Sequence, residues 1–281
     1  MAQGVAIGGK QAGVTIFQQA AQSDQAAEQE LNICDTMLER HPAALIASAI
    51  NSSNLLPCMK QANAANIPVV DLDANLDAAV TAKAGVKIAF TIGSDNTRAG
   101  AKAADFVAQH LGANSKGPVL IIEGLAGNIT GEQRAQGFRT ELAKVAPGLT
   151  ITALLPGDWD ASKAANITND TLQRNPNLRA IFCANDTMAL GAVEAVFAAG
   201  NGGKVTVVGV DGTNAGIKSI REGRLTATVA QLPYLEGIEA IENVKKVLAG
   251  GQVPAFIHVP TVLITAEVLK EGTNPYLKYV K

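Results

Sequence analysis

A regular alternation of short apolar runs with amphipathic helical segments, joined by turns of a few residues, most constrains what this chain can fold into. Val14–Phe17, Ala44–Ile50, Ile67–Leu72, Lys87–Ile92, Val119–Glu123, Leu149–Leu155, Ala180–Cys183, Val205–Val210 and Leu225–Ala230 read as strands. Between them lie helical patterns that stop at helix-ending signals: Gly13, His41-Pro42, the residues before Pro68, and Asn175-Pro176. A chain that alternates in this way builds parallel sheets covered on both faces by helices. Composition agrees, since hydrophobic residues make up 47% and aromatics only 4%. Such aliphatic usage suits helices packed on a Val/Ile/Leu sheet.

A length of 281 residues suggests two domains. The small and polar loop Gly112–Gly117 marks the clearest composition shift, and the pattern restarts after it. This predicts an α/β protein of two doubly wound parallel-sheet lobes, one made of residues 1–109 plus 232–260 and the other of 110–231 plus 261–281. Hinges are expected near His110, Gln231 and Pro260. Phe256–Ile264 reads as one strand broken by Pro260. Ser23 or Asp24 is expected to cap the helix that runs to Arg40.

Several functions are excluded by what is missing. The net charge is −2, with no block of Lys or Arg to neutralise a phosphate backbone, so nucleic acid is not an expected partner. Cys34, Cys58 and Cys183 are odd in number and widely spaced, and read as small buried hydrophobes in preference to a disulfide or a metal site. His41, His110 and His258 are scattered singly, so no metal is expected. Gly124-Leu125-Ala126-Gly127 lacks a phosphate-loop lysine, no serine nucleophile elbow is present, and no carboxylate pair declares an acid/base site. Neither an enzyme nor a cofactor is therefore expected. No apolar run approaches the ~20 residues that span a bilayer. The opening Met1-Ala2-Gln3-Gly4 enters amphipathic sequence without a basic leader, so the chain is read as cytosolic or as having lost its original N-terminus.

Open parallel sheets place ligand contacts at the carboxyl ends of their strands. The residues standing there are Asp95, Trp159, Asn185, Asp211 and Gln231, with Arg134 on the first turn of a helix. Each has an ordinary alternative. A lone strand-end carboxylate usually caps the next helix, an asparagine often only turns the chain, and a single tryptophan fills a core. Asp186 is read as the cap of the helix through Val196, which leaves Asn185 for a ligand. As a set, carboxylates, amides and a guanidinium beside one flat indole suit a neutral, hydroxyl-rich ligand. Each charged hydrogen bond would contribute about 1.5 to 3 kcal/mol.

These segments carry a family resemblance over essentially the whole chain. I-I-E-G-L-A-G-N-I-T-G-E-Q-R at Ile121–Arg134, P-G-D-W-D at Pro156–Asp160, L-Q-R-N-P-N at Leu172–Asn177, C-A-N-D-T-M-A-L-G at Cys183–Gly191, V-V-G-V-D-G-T at Val207–Thr213 and A-T-V-A-Q-L-P at Ala227–Pro233 resemble the ribose-type periplasmic sugar-binding proteins of ABC importers. The resemblance implies a periplasmic, monomeric, non-catalytic protein. It would capture a neutral monosaccharide between two lobes that close on a hinge, hand it to ABC permease subunits, and meet the membrane only through them. It also implies sugar contacts at Asp95, Arg134, Trp159, Asn185, Asp211 and Gln231. One departure lies at the start, because Met1–Gly4 matches the first helix of the family, and the family's first strand and its aromatic loop would precede it. That implies a truncation or misplaced start, a weakened first lobe and reduced sugar affinity. The effector domain of a lactose-repressor-type regulator shares the fold, but it would carry a basic N-terminal helix-turn-helix, and Met1–Gly13 holds only Lys10. A sugar-processing enzyme is a third, weaker reading.

Overall fold

A computed structural model describes residues 1–23, 25–74 and 76–280. The expected cap Asp24 lies outside them. The chain divides into two compact units, one of residues 1–94, 127–129 and 232–259, the other of 95–126, 130–231 and 260–281.

The first unit contains α1 (Ala2–Ala12), α2 (Ala27–Leu38), β1 (Leu45–Ala47), α3 (Leu56–Ala64), β2 (Val69–Leu72), α4 (Ala78–Ala84) and β3 (Phe90–Ser94). The second opens with α5 (Asn96–Leu111), β4 (Gly117–Glu123), α6 (Ile129–Val145), β5 (Leu149–Pro156), α7 (Ala161–Arg174) and β6 (Ala180–Cys183). It continues with α8 (Asp186–Ala198), β7 (Thr206–Asp211), α9 (Asn214–Arg221) and β8 (Ala227–Ala230). The chain then returns to the first unit for α10 (Pro233–Leu248) and β9 (Phe256–Val259), and ends in the second with β10 (Val262–Ile264) and α11 (Ala266–Glu271).

Each unit is a sheet with strand crossovers made by helices. The first sheet has the order β1-β2-β3-β9, parallel throughout. The second has the order β10-β8-β7-β6-β4-β5, parallel except for β10, which runs antiparallel to β8. Central strands such as β6, Ala-Ile-Phe-Cys, are buried at every residue, as expected of a strand covered on both faces. The stacked rings of Phe138 and Phe182, with centroids 4.4 Å apart, join α6 to this sheet.

Four expectations need correction. The first crossing between units falls between Ser94 and Asp95, not after residue 109. The cause is packing: α5 lies so close to α6 that a Cβ on Gly100 would come 1.9 Å from the Arg134 carbonyl oxygen. The loop 112–117 is therefore a turn inside the second unit, and His110 stacks on Phe106 within α5. Pro260 does more than break a strand, since β9 and β10 belong to different sheets. Val14–Phe17 forms no strand. Val14 and Phe17 are exposed, and the Arg40 guanidinium lies 4.8 Å above the Phe17 ring. A strand needs a hydrogen-bonded neighbour, and no described strand of the first sheet pairs with this segment.

The fourth correction concerns the cysteines. Cys34 on α2 and Cys58 on α3 form a disulfide with their Cα atoms 6.2 Å apart, while Cys183 is free and buried. Sequence spacing cannot show which faces of two helices meet, and these two faces meet beneath Leu45 and Val69 in one apolar cluster. A bridge across a sequence separation of 24 contributes about 3 kcal/mol in the loop-closure picture. The double substitution Cys34→Ala/Cys58→Ala is expected to lower the melting temperature of the first unit by several degrees, and dithiothreitol should lower that of the native chain alone. An unchanged melting temperature in both would contradict this.

Candidate functional site

All six residues singled out from sequence lie in the second unit. Their placement begins where β6 ends. Asn185, in extended conformation, is the N-cap of α8, and its Oδ1 accepts from the Met188 N–H at 2.8 Å. Asp186 is the first helical residue and not the cap, which corrects the sequence expectation. Capping consumes the Asn185 carbonyl oxygen and leaves its Nδ2 group as the donor that this side chain can present to a ligand.

Arg134, on α6 and only 4% exposed, is the hub of the site. Its Nε donates to Asn96 Oδ1 at 2.8 Å, and one terminal nitrogen donates to the Ala184 carbonyl at 2.8 Å and to Asp211 Oδ1 at 3.3 Å. Asp211 closes β7 at φ 116°, a conformation that is strained for a residue with a side chain. Gln231 holds it from β8: its Nε2 donates to Asp211 Oδ1 at 2.7 Å and its N–H to the Asp211 carbonyl at 3.1 Å. The Gln231 Oε1 is buried and has no hydrogen-bond partner among the described residues. Asp211, Arg134 and Gln231 thus form one continuous polar chain with an acceptor left over.

Asp95 takes its ordinary role, capping α5 by accepting from the Arg98 N–H at 2.9 Å. Its neighbour Asn96, 2% exposed, is the residue that meets Arg134. Sequence reasoning passed over Asn96. The signal was available: asparagine is a poor helix former, and one on a first helical turn just after a capping aspartate has a reason to be there.

Trp159 sits in a tight turn where Asp158 and Trp159 both have positive φ, 52° and 60°. The turn is braced by an ion pair from Lys163 to Asp158 and by Asp160, which caps α7 through the Lys163 N–H. The indole lies directly on the Gly124 backbone. A Cβ there would come 2.1 Å from Cζ2 and Cη2, and one on Gly131 would come 3.1 Å from Cη2. The glycine-rich loop 124–131 is therefore a seat for this ring.

In the first unit, Asp73 directly follows the carboxyl end of β2 at φ 74°, much as Asp211 closes β7 with positive φ. Near it is Glu236, fully buried on the first turn of α10. Burial first, and then the negative charge of Asp73, push the Glu236 carboxyl well above the usual carboxylate range. No group of three or more His, Cys, Asp or Glu among the described residues could hold a metal ion, and no helix among them is long and apolar enough to cross a membrane.

Comparison with known families decides what this scaffold is. Residues 1–252 match the periplasmic binding protein domain model. The chain belongs to the periplasmic binding protein family. This binding protein is 37% identical over 271 residues to the D-allose-binding periplasmic protein of Escherichia coli strain K12, covering 94% of this chain and 86% of that protein. It is 35% identical over 241 residues to the ribose import binding protein of the same strain, covering 86% and 77%. Among solved structures, it is similar to an ABC transporter solute-binding protein of Actinobacillus succinogenes with bound D-allose, with TM-score 0.89, 34% identity and coverage of 96% and 93%. A solute-binding protein of Agrobacterium vitis bound with α-D-tagatopyranose also superposes at TM-score 0.89, with 27% identity and coverage of 99% and 93%. These relatives are binding proteins, and they share the two-unit α/β architecture.

Two outcomes follow. Gly124→Ala should displace the indole and change the emission of Trp159, the single tryptophan, while leaving far-ultraviolet circular dichroism intact. An emission spectrum identical to the native one would contradict the seat. For Glu236, a carboxyl raised in the folded state contributes stability below its unfolded pKa of about 4.5, and that contribution is lost as pH rises through the folded value. Glu236→Gln should therefore flatten the fall in melting temperature as pH rises above about 4.5, and raise stability above that point. Parallel pH profiles for variant and native protein would refute this.

Proposed function

We propose that this chain binds a neutral monosaccharide, an aldopentose, aldohexose or similar polyol, and delivers it to the permease of an ABC importer. The observation that carries this reading is the polar chain Arg134–Asp211–Gln231, which reaches the end of β6 through the Ala184 carbonyl, one residue before Asn185. The guanidinium charge is matched by the Asp211 carboxylate, so the group as a whole offers donors and acceptors without a strong net demand for ligand charge. Paired hydroxyls fit such a group, and the face of an indole suits the C–H face of a sugar ring. Asp95 remains in the proposed set as the neighbour of Asn96, although its own carboxylate caps α5.

Two further points support the reading. The relatives named above are allose-binding and ribose-import proteins, which favours import over the effector domain of a repressor. The Cys34–Cys58 disulfide fits an oxidising compartment, in keeping with a periplasmic location.

Thermal unfolding against D-allose, D-ribose, D-tagatose and D-fucose tests the proposal. A cognate sugar at a hundred times its Kd should stabilise the protein by about 2.7 kcal/mol. Absence of any shift across aldopentoses, aldohexoses and polyols would overturn it.

A further inference from the structure

We propose that Asp186, which no ligand need touch, is a positioning residue: its carboxylate fixes the turn after β7 in the shape that presents Asp211 to the ligand. The inference rests on the reading of Asp211 as a sugar contact. Asp186 is fully buried at the start of α8, and three donors converge on it. The Thr213 N–H and Thr213 Oγ1 donate to Oδ2 at 2.7 and 3.0 Å, and Thr228 Oγ1 donates to Oδ1 at 2.6 Å. Thr228 in turn accepts from the Gly212 N–H at 3.3 Å. The two residues after Asp211 are thus tied to one carboxylate, directly at Thr213 and through a hydroxyl relay at Gly212.

The surroundings are cut to the shape of this carboxylate. A Cβ on Gly209 would lie 2.4 Å from Oδ1, and one on Gly216 would lie 2.4 Å from Oδ2. Both positions flank the turn, one on β7 and one on α9, and both leave only enough room for hydrogen atoms over the oxygens. Thr213 also caps α9 through the Gly216 N–H at 3.1 Å, so the same residue that Asp186 grips starts the next helix. Gln231 and Arg134 hold Asp211 at φ 116° from one side, and the Asp186 ties to Gly212 and Thr213 hold the chain that follows it. A turn released from Asp186 can relax toward ordinary φ, and the carboxylate would then leave Arg134 and Gln231. Placing a charge here is costly, as burial and the neighbouring Asp211 push the Asp186 carboxyl up to about 7.

The test uses Asp186→Asn, Thr228→Val and Thr228→Ser in the full chain. D-allose affinity by calorimetry should fall about tenfold or more in Asp186→Asn and in Thr228→Val. Thr228→Ser, which keeps the hydroxyl, should return to within about twofold of native. Ligand-free melting temperatures should stay within a few degrees. Independently of any sugar, amide hydrogen exchange at Gly212 and Thr213 should accelerate in the first two variants and not in the third, while the amides of α8 keep their protection. Equal affinity in all variants, equal loss in Thr228→Ser and Thr228→Val, or unchanged exchange at Gly212 and Thr213 would overturn the proposal. If the native protein binds no sugar, the sugar-binding reading fails and the exchange measurement still decides the role of Asp186.

Discussion

A buried guanidinium needs partners for its donors, and the second unit brings three acceptors to Arg134 from three separate elements. Asn96 comes from α5, the Ala184 carbonyl from the end of β6, and the Asp211 carboxylate from the end of β7. Removing any of these would leave part of a charge desolvated without compensation, which is far more costly than the bonds are individually worth. The same demand explains why α5 sits in the second unit although it follows a strand of the first. Its first residue is an Arg134 partner, and Gly100 lets its axis approach α6 to near backbone contact.

Around this hub the site is built from backbone held in unfavourable places. Asp211, Asp158 and Trp159 all have positive φ, and each is over-determined by neighbours: Gln231 and the Asp186 relay for the first, and the Lys163 ion pair and the Asp160 cap for the others. Strain of order 1–3 kcal/mol per residue persists only where surrounding interactions exceed it. Rigid polar groups at strand ends lose little freedom on binding, which is what a receptor for small hydroxylated molecules requires.

Much of the fold was legible. The alternation of Val/Ile-rich runs with helical segments identified strands β2 through β8 to within a few residues and named the architecture, because burial on both faces leaves a continuous apolar run that polar loops punctuate. Short elements without such a run were invisible. α4, started by Asp77 accepting from the Ala79 and Val80 amides, and α11, capped by Thr265, are helices of only seven and six residues with little pattern to read. Val14–Phe17 had the pattern of a strand without a partner, and propensity does not supply one. Of the residues singled out from sequence, Arg134, Asp211 and Gln231 are hydrogen-bonded to one another. Asn96 was not singled out although its place on a first helical turn was a signal, and Asp73 and Glu236 were not because nothing local distinguishes a polar residue that a distant element will bury.

By itself, then, the sequence determined the α/β class and the family, because these depend on local periodicity and on motifs a few residues long. Only the tertiary structure decided that Asn185 and not Asp186 caps α8, that Cys34 and Cys58 bond, that α5 belongs with α6, and that the glycine-rich loop cradles an indole. Each of those outcomes turns on which faces of separate elements meet, and that is settled by packing across the sheet and not by spacing along the chain.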